Sequence, residues 1–259
     1  MMRNLTIGQY YSTESLLHSL DPRVKIRFVI AFILLSLPDR SVPLFALLTV
    51  VFLAALLLSR VPLLHILKGM RGLMIFLCVC SSINLFTTYG ETVADLGVLT
   101  VTREGLIKTG FVLWRLLLLL LFSSLLMYTT KPTALCDGFE KCFHLPSQVA
   151  MGITIALRFL PVLVSELDRI MKAQEARGAE FHKGSPAKRL KSLKNVSIPL
   201  FQNSVRRAGN LADAMEARCY TGRKGRTRLV PLKYGVNDLV AYLVLLTVIA
   251  AGIFFIIHF

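Results

Sequence analysis

Long apolar runs separated by short polar segments make up the first half of the chain and its end. Five of them resemble membrane spans, since a bilayer core about 30 Å thick needs roughly 20 apolar residues in a helix. They lie at about Val24–Leu37, Pro43–Ser59, Gly69–Tyr89, Gly105–Tyr128 and Val236–His258. The first run is short, and only a turn at Pro38-Asp39-Arg40 separates it from the second, so these two could form one re-entrant hairpin. The pattern predicts an all-α, polytopic membrane helix bundle.

Between the fourth and fifth runs the pattern changes to amphipathic helices. Apolar residues recur there at helical spacing, which predicts helices over Thr133–His144, Ser147–Phe181 and about Ser197–Tyr220. The long middle helix should kink at Pro161, because proline removes an internal hydrogen bond. Pro199 is tolerable in the first turn of the last helix. Together with the apolar runs, this predicts a transmembrane bundle over residues 1–130, long coupling helices over 131–234 and a C-terminal transmembrane helix over 235–259.

Positive charge is in excess and is concentrated in one segment. The 259 residues include 30 Lys and Arg against 15 Asp and Glu, a net charge of +15, yet 54% are hydrophobic and 17% charged. This composition excludes a disordered basic tail and disfavours a simple soluble nucleic-acid binder. The segment from Leu157 to Tyr234 holds 17 of the bases and 6 of the acids. By the positive-inside rule, the N-terminus and residues 131–234 are cytoplasmic and the C-terminus is outside.

The two long amphipathic helices carry the same ending. One reads Gln174-Glu175-Ala176-Arg177-Gly178 and the other Met215-Glu216-Ala217-Arg218-Cys219. An arginine beside a small residue at a helix end could enter a groove on another protein and meet a carboxylate there. The same pattern is also typical of an ordinary helix end, with a cation near the negative pole and Gly178 just beyond it. The residues alone leave both interpretations open.

Catalytic motifs are missing from the sequence. It contains no GxxxxGK[ST], HExxH or GxSxG motif, and no carboxylate pair falls in a predicted span. We therefore expect a non-catalytic protein that binds no nucleotide and no metal. A self-contained secondary carrier, a lipid-modifying enzyme and a scaffold that binds anionic lipid remain as alternatives.

Three segments in the right order resemble a known family. Ser15-Leu16-Leu17-His18-Ser19-Leu20-Asp21-Pro22-Arg23-Val24-Lys25 is similar to its LHxLDPRxK signature. Leu157-Arg158-Phe159-Leu160-Pro161 with Glu175-Ala176-Arg177-Gly178 resembles its first coupling-helix motif. Ile198-Pro199-Leu200 with Ala212-Asp213-Ala214-Met215-Glu216-Ala217-Arg218 resembles the second. Over nearly its full length the chain is similar to the EcfT/CbiQ family, the transmembrane coupling components of energy-coupling factor (ECF-type ABC) transporters.

The resemblance implies a non-catalytic subunit of an importer for vitamins or metal ions. Two cytosolic ATPase subunits would use ATP and Mg²⁺, a small membrane protein (the S component) would bind the substrate, and this chain would bind no cofactor. The implied ATPase-docking residues are Ala176, Arg177, Gly178, Ala217, Arg218 and Cys219, where the family has glycine in place of Cys219. The implied S-component contacts are Leu157, Phe159, Leu160, Pro161, Leu211 and Met215. The first signature resembles the general EcfT branch; a cobalt-dedicated CbiQ-type subunit stays open.

Overall fold

In the computed structural model, the described residues are 11, 13, 15–38, 42–87, 92–95, 100–179, 181, 186–222 and 234–258. These residues form helices throughout, apart from one short antiparallel hairpin, which confirms the predicted helical class. The elements are α1 (Leu16–Ser19), α2 (Pro22–Ser36), α3 (Val42–Ser59), α4 (Leu63–Gly69), α5 (Arg71–Thr87), β1 (Thr92–Asp95), β2 (Thr100–Thr102), α6 (Arg103–Thr129), α7 (Pro132–Cys142), α8 (Ser147–Ala176), α9 (Pro186–Ala217) and α10 (Val236–His258). The hairpin was not predicted.

Several helices are long and apolar enough to cross a membrane. Within the described part of the chain these are α3, α6, α8 and α10, and the pair α4 and α5 passes the same test with a bend of 73° between its members. The predicted first span, α2, has 15 residues, which is about 22 Å of helix and less than the bilayer core. α8, which was predicted as a cytoplasmic helix, also passes this test of length and composition, because its first half is almost wholly apolar. The chain is a multi-pass membrane protein.

Two helix boundaries in the middle of the chain differ from prediction. The helix expected through Phe181 ends at Ala176. The helix expected from about Ser197 begins at Pro186 and runs through Pro199. Proline favours the first position of a helix, so Pro186 is a good start, and the interior Pro199 forfeits one hydrogen bond without ending the helix.

The chain divides into two compact units. One contains Gly8–His144 and Leu232–Phe259, and the other is mainly Leu145–Pro231. The first unit has the larger core, where the rings of Phe32 and Phe122 stack with centroids 4.1 Å apart. Leu44, Leu48 and Ile66 are fully buried around them. The short helix α7 belongs to this unit and packs on α2.

Close helix packing in the first unit depends on glycine. A Cβ added at Gly252 of α10 would lie 2.7 Å from Leu35 Cδ2 of α2. A Cβ at Gly138 of α7 would lie 2.8 Å from Ile26 Cδ1 and 3.0 Å from Pro22 Cβ. Real Cβ atoms do not approach other atoms so closely, so a larger residue at either position would require the neighbouring side chain or the helix itself to shift.

The first signature segment contains the start of α2. Asp21 is the N-cap, its Oδ1 accepts the Arg23 N–H at 2.9 Å, and Pro22 occupies the first turn. The Asp21 N–H itself donates to Asp238 Oδ1 at 2.8 Å, while Asp238 Oδ2 accepts the Gly235 N–H at 2.8 Å. Asp21 and Asp238 are both buried. One carboxylate therefore joins the start of α10 to the start of α2.

Lys25, the last residue of the same signature, extends this polar cluster to α6. Its ammonium is buried and donates to the Thr129 carbonyl at 3.1 Å and to Thr130 Oγ1 and the His18 carbonyl at 3.4 Å. Buried charges are stable only when they are paired and hydrogen-bonded. The signature thus fixes α2, α6 and α10 together.

Candidate functional site

The second compact unit consists chiefly of two long helices that pack on each other. α8 has 30 residues and α9 has 32, and each continues through an interior proline, Pro161 and Pro199 respectively. An interior proline costs a helix about 3 kcal/mol. Both helices remain long despite this cost. The paired arginine endings therefore lie at the C-terminal ends of two long helices.

Backbone hydrogen bonds close the end of α8. The Ala179 N–H donates to the Gln174 carbonyl and the Gly178 N–H donates to the Glu175 carbonyl, both at 2.9 Å. Gly178 has a φ of +85°, the left-handed conformation that allows this closure. These two bonds define a Schellman motif, with Arg177 as the last residue before the chain reverses.

The end of α9 repeats this arrangement. The Tyr220 N–H donates to the Met215 carbonyl at 2.9 Å, and the Cys219 N–H donates to the Glu216 carbonyl at 2.8 Å. Cys219 has a φ of +58°. Arg218 therefore occupies the same place in the motif as Arg177, so the repeated sequence is a repeated structure.

All six predicted docking residues lie at these two ends and are exposed. They are Ala176, Arg177, Gly178, Ala217, Arg218 and Cys219. Within the described residues neither arginine forms an ion pair. Each guanidinium sits at the negative pole of its own helix, which favours a cation there but uses none of its five donors. Both arginines are thus positioned for an external acceptor.

Besides their packing, a carboxylate of α8 links the two helices through polar contacts. Glu166 of α8 accepts from Asn203 Nδ2 at 2.9 Å through Oε1 and from Arg207 at 3.2 Å through Oε2. Both donors come from α9, one turn apart. Sequence reasoning missed Glu166, Asn203 and Arg207, because nothing in a single sequence pairs positions separated by about forty residues.

The predicted S-component contacts are spread along both helices. Leu157, Phe159, Leu211 and Met215 are half-buried, whereas Leu160 and Pro161 are exposed. A more exposed set of apolar residues lies on α9 at spacings of three and four, and of these only Ile198 belongs to a motif named from the sequence. This α9 stripe comprises Ile198 (49% exposed), Phe201 (70%) and Val205 (54%). Apolar exposure of this kind marks an interaction surface.

Comparison with known proteins agrees with this architecture. The family model CbiQ, described as a cobalt transport protein, matches residues 13–229. The energy-coupling factor transporter transmembrane protein EcfT of Thermosediminibacter oceani is 41% identical over 249 residues, covering 93% of this chain and 94% of the relative. The EcfT of Clostridium kluyveri is 40% identical over 262 residues (98% and 97%), and that of Heliobacterium modesticaldum is 42% identical over 267 residues (99% and 97%).

Proposed function

The chain belongs to the CbiQ/EcfT family of transporter membrane components, and we propose that it is the coupling subunit of an ECF-type importer. It would link ATP hydrolysis by two cytosolic ATPase subunits to reorientation of a separate S component during vitamin or metal-ion uptake. The observation that carries this proposal is the repeated helix end. An exposed arginine ends each of the two helices, and the same pair of backbone hydrogen bonds closes each end.

The two ends suit docking into grooves of two similar partners. Ala176 and Gly178 flank Arg177 with almost no side-chain bulk, and Ala217 and Cys219 do the same for Arg218. A partner backbone can therefore approach each arginine closely, and a carboxylate can accept two parallel hydrogen bonds from the guanidinium. Because the caps are closed within each helix, little conformational entropy remains to be lost on docking.

The same helices offer apolar faces for the membrane partner. We assign the S-component contact to Leu157, Phe159, Leu160 and Pro161 of α8 and to Leu211 and Met215 of α9. The exposed α9 stripe extends that surface. In this arrangement, movement of the ATPases at the helix ends is transmitted as a rigid-body shift of packed helices.

Orientation follows from the charge distribution. We place the N-terminus and residues 131–234, which include α8 and α9, in the cytoplasm and the C-terminus outside. The acids and bases of α8 from Glu166 to Glu175, and its polar contact with α9, are incompatible with the hydrocarbon core. The ATPase subunits would supply the nucleotide chemistry, and this chain would be non-catalytic.

Affinity purification of the chain in mild detergent tests the proposal. Two P-loop ATPases, identical or different, and a small multi-span membrane protein should copurify with it. Substrate uptake by the chain alone in liposomes would instead establish a self-contained carrier and refute the coupling role. The family model's description favours one second candidate, a cobalt-dedicated subunit; the ligand retained by the copurified S component distinguishes the two.

A further inference from the structure

The polar contact between Glu166 of α8 and Asn203 and Arg207 of α9 is more directional than ordinary helix packing. Both oxygens of the Glu166 carboxylate are engaged, one by Asn203 and one by Arg207. These donors are four residues apart on α9 and so lie on one face of it. Arg206 donates to Asn203 Oδ1 at 2.7 Å, which leaves Nδ2 of that amide to face Glu166.

This network is partly shielded from solvent. The Glu166 side chain is 18% exposed and the Arg207 side chain 41%. Two directional bonds to one carboxylate restrict rotation as well as separation, because turning α9 about its axis lengthens at least one of them. The network therefore fixes the rotation of α9 about its own axis as well as the contact point between the two helices.

The contact also lies at equal distances from the two arginine ends. Arg177 follows Glu166 by 11 residues, and Arg218 follows Arg207 by 11 residues. Each distance corresponds to about 16 Å of helix at 1.5 Å per residue. The prolines, Pro161 and Pro199, both precede the contact. Uninterrupted helix thus connects the Glu166 contact to each end.

We infer that Glu166 is a positioning residue whose contact with Asn203 and Arg207 acts as the pivot between the two docking ends. This inference rests on the proposed coupling function. A displacement of one arginine end by its ATPase is passed through the pivot to the other helix. Without the pivot, each end can still dock, but the two ends no longer move in a fixed relation.

The geometry can be measured on the full chain without partners. Cys219 is an exposed native thiol, and Ala179→Cys places a second one beyond the other helix end. With Cys78, Cys80, Cys136 and Cys142 replaced by serine, spin labels at these two sites report the distance between the ends. We expect a narrow distance distribution, which broadens in Glu166→Arg and in Arg207→Glu and narrows again in the charge-swapped double variant. Arg169→Glu, an exposed reversal on α8, is the matched control and should not broaden it.

The functional readout is substrate transported per ATP hydrolysed in the reconstituted complex. Each single reversal should copurify with the ATPases and hydrolyse ATP, yet lose coupling by about fivefold or more, and the double variant should recover it. Unchanged distances and unchanged coupling in the single variants overturn the pivot. Loss in both without recovery in the swap also overturns it, because misfolding then explains the loss. The docking proposal fails in a different way: the Arg177→Ala and Arg218→Ala variants would then assemble normally with the ATPase subunits.

Discussion

Gly178 and Cys219 occupy the same position in two copies of one helix-ending motif, with φ values of +85° and +58°. Each residue follows an exposed arginine and donates its N–H to the carbonyl of a glutamate three residues earlier. The left-handed conformation suits glycine but strains a residue with a Cβ. The ends of α8 and α9 therefore share one backbone geometry, and Cys219 makes the end of α9 the less stable of the two.

Replacing Cys219 with glycine should stabilise the end of α9. Relief of the left-handed strain gains roughly 1–2 kcal/mol, and part of this is offset by the greater freedom of glycine in the unfolded chain. Conversely, Gly178→Ala should destabilise the end of α8, although open space surrounds its Cβ position. Hydrogen exchange of peptides containing Tyr220 and Ala179 measures both effects.

Gly209→Ala serves as the control for this pair. Gly209 lies inside α9 with ordinary helical φ and nothing within 4 Å of its Cβ position. Alanine there should stabilise the helix by about 1 kcal/mol. If Gly178→Ala slowed exchange as Gly209→Ala does, the strain argument would be wrong.

Removing either arginine should weaken the complex with the ATPase subunits. Arg177→Ala and Arg218→Ala each leave a partner carboxylate unpaired at a desolvated contact, which costs about 2–5 kcal/mol of binding free energy. Titration of the purified ATPases onto the chain in nanodiscs measures the loss. Arg169→Ala, an exposed arginine two turns earlier on α8, should leave the affinity unchanged; a similar loss there would indicate nonspecific electrostatics.

Gly252→Ala should loosen the packing of α10 on α2. The new methyl group meets Leu35 Cδ2 at 2.7 Å, and overpacking of this kind costs about 1–3 kcal/mol. Leu35→Ala removes the clashing atoms, so the double variant should unfold at a higher temperature than the sum of the single effects predicts. Gly110→Ala, with nothing within 4 Å, should be neutral or stabilising. Strict additivity in the double variant would contradict the assigned contact.

Asp238→Asn should destabilise the first compact unit nearly as much as Asp238→Ala. The two oxygens of Asp238 accept from the Asp21 and Gly235 N–H groups. The amide of asparagine keeps one acceptor and turns a donor group toward the other N–H. A buried group left unpaired costs about 1–3 kcal/mol. Thermal unfolding in detergent checks this, with exposed Asp213→Asn as the control; a harmless Asp238→Asn would show that one bond suffices.

Acid should destabilise the N-terminal contacts of His18. Burial lowers the pKa of His18 from 6.5, and its ring hydrogen-bonds to Ser15 Oγ at 2.6 Å and donates to the Tyr11 carbonyl at 3.0 Å. The unfolded chain therefore binds the proton more tightly, so this contribution is complete above pH 6.5 and declines below it. Between pH 7.5 and pH 5, the unfolding temperature should drop further for the wild type than for His18→Gln. Equal falls would exclude His18 as the titrating group.

The sequence predicted most helices but placed several ends wrongly. The start of α2 at Asp21-Pro22 has local cap and first-turn chemistry, which a sequence can show. Pro199 gave a misleading start for α9, since the helix tolerates an interior proline and begins at Pro186. The membrane character of α8 also could not be decided from pattern alone, because its first half is as apolar as a span.

The candidate site was predictable only in part for the same reason. The Glu-Ala-Arg repeat located both arginine ends, because it is contiguous in sequence. That Cys219 adopts the conformation of Gly178 follows from backbone closure, which a cysteine does not signal. Glu166 has its partners 37 and 41 residues away, and only folding reveals such a contact.

The α9 stripe has a consequence for how the subunit is made. Phe201 is 70% exposed, and Ile198 and Val205 beside it are about half exposed, on a helix that is not among the candidate spans. A newly synthesised copy without partners would present this strip to chaperones and proteases that survey orphan subunits. Under the proposed function, binding of the partners would cover this strip, and the cellular lifetime of the chain would then depend on their supply.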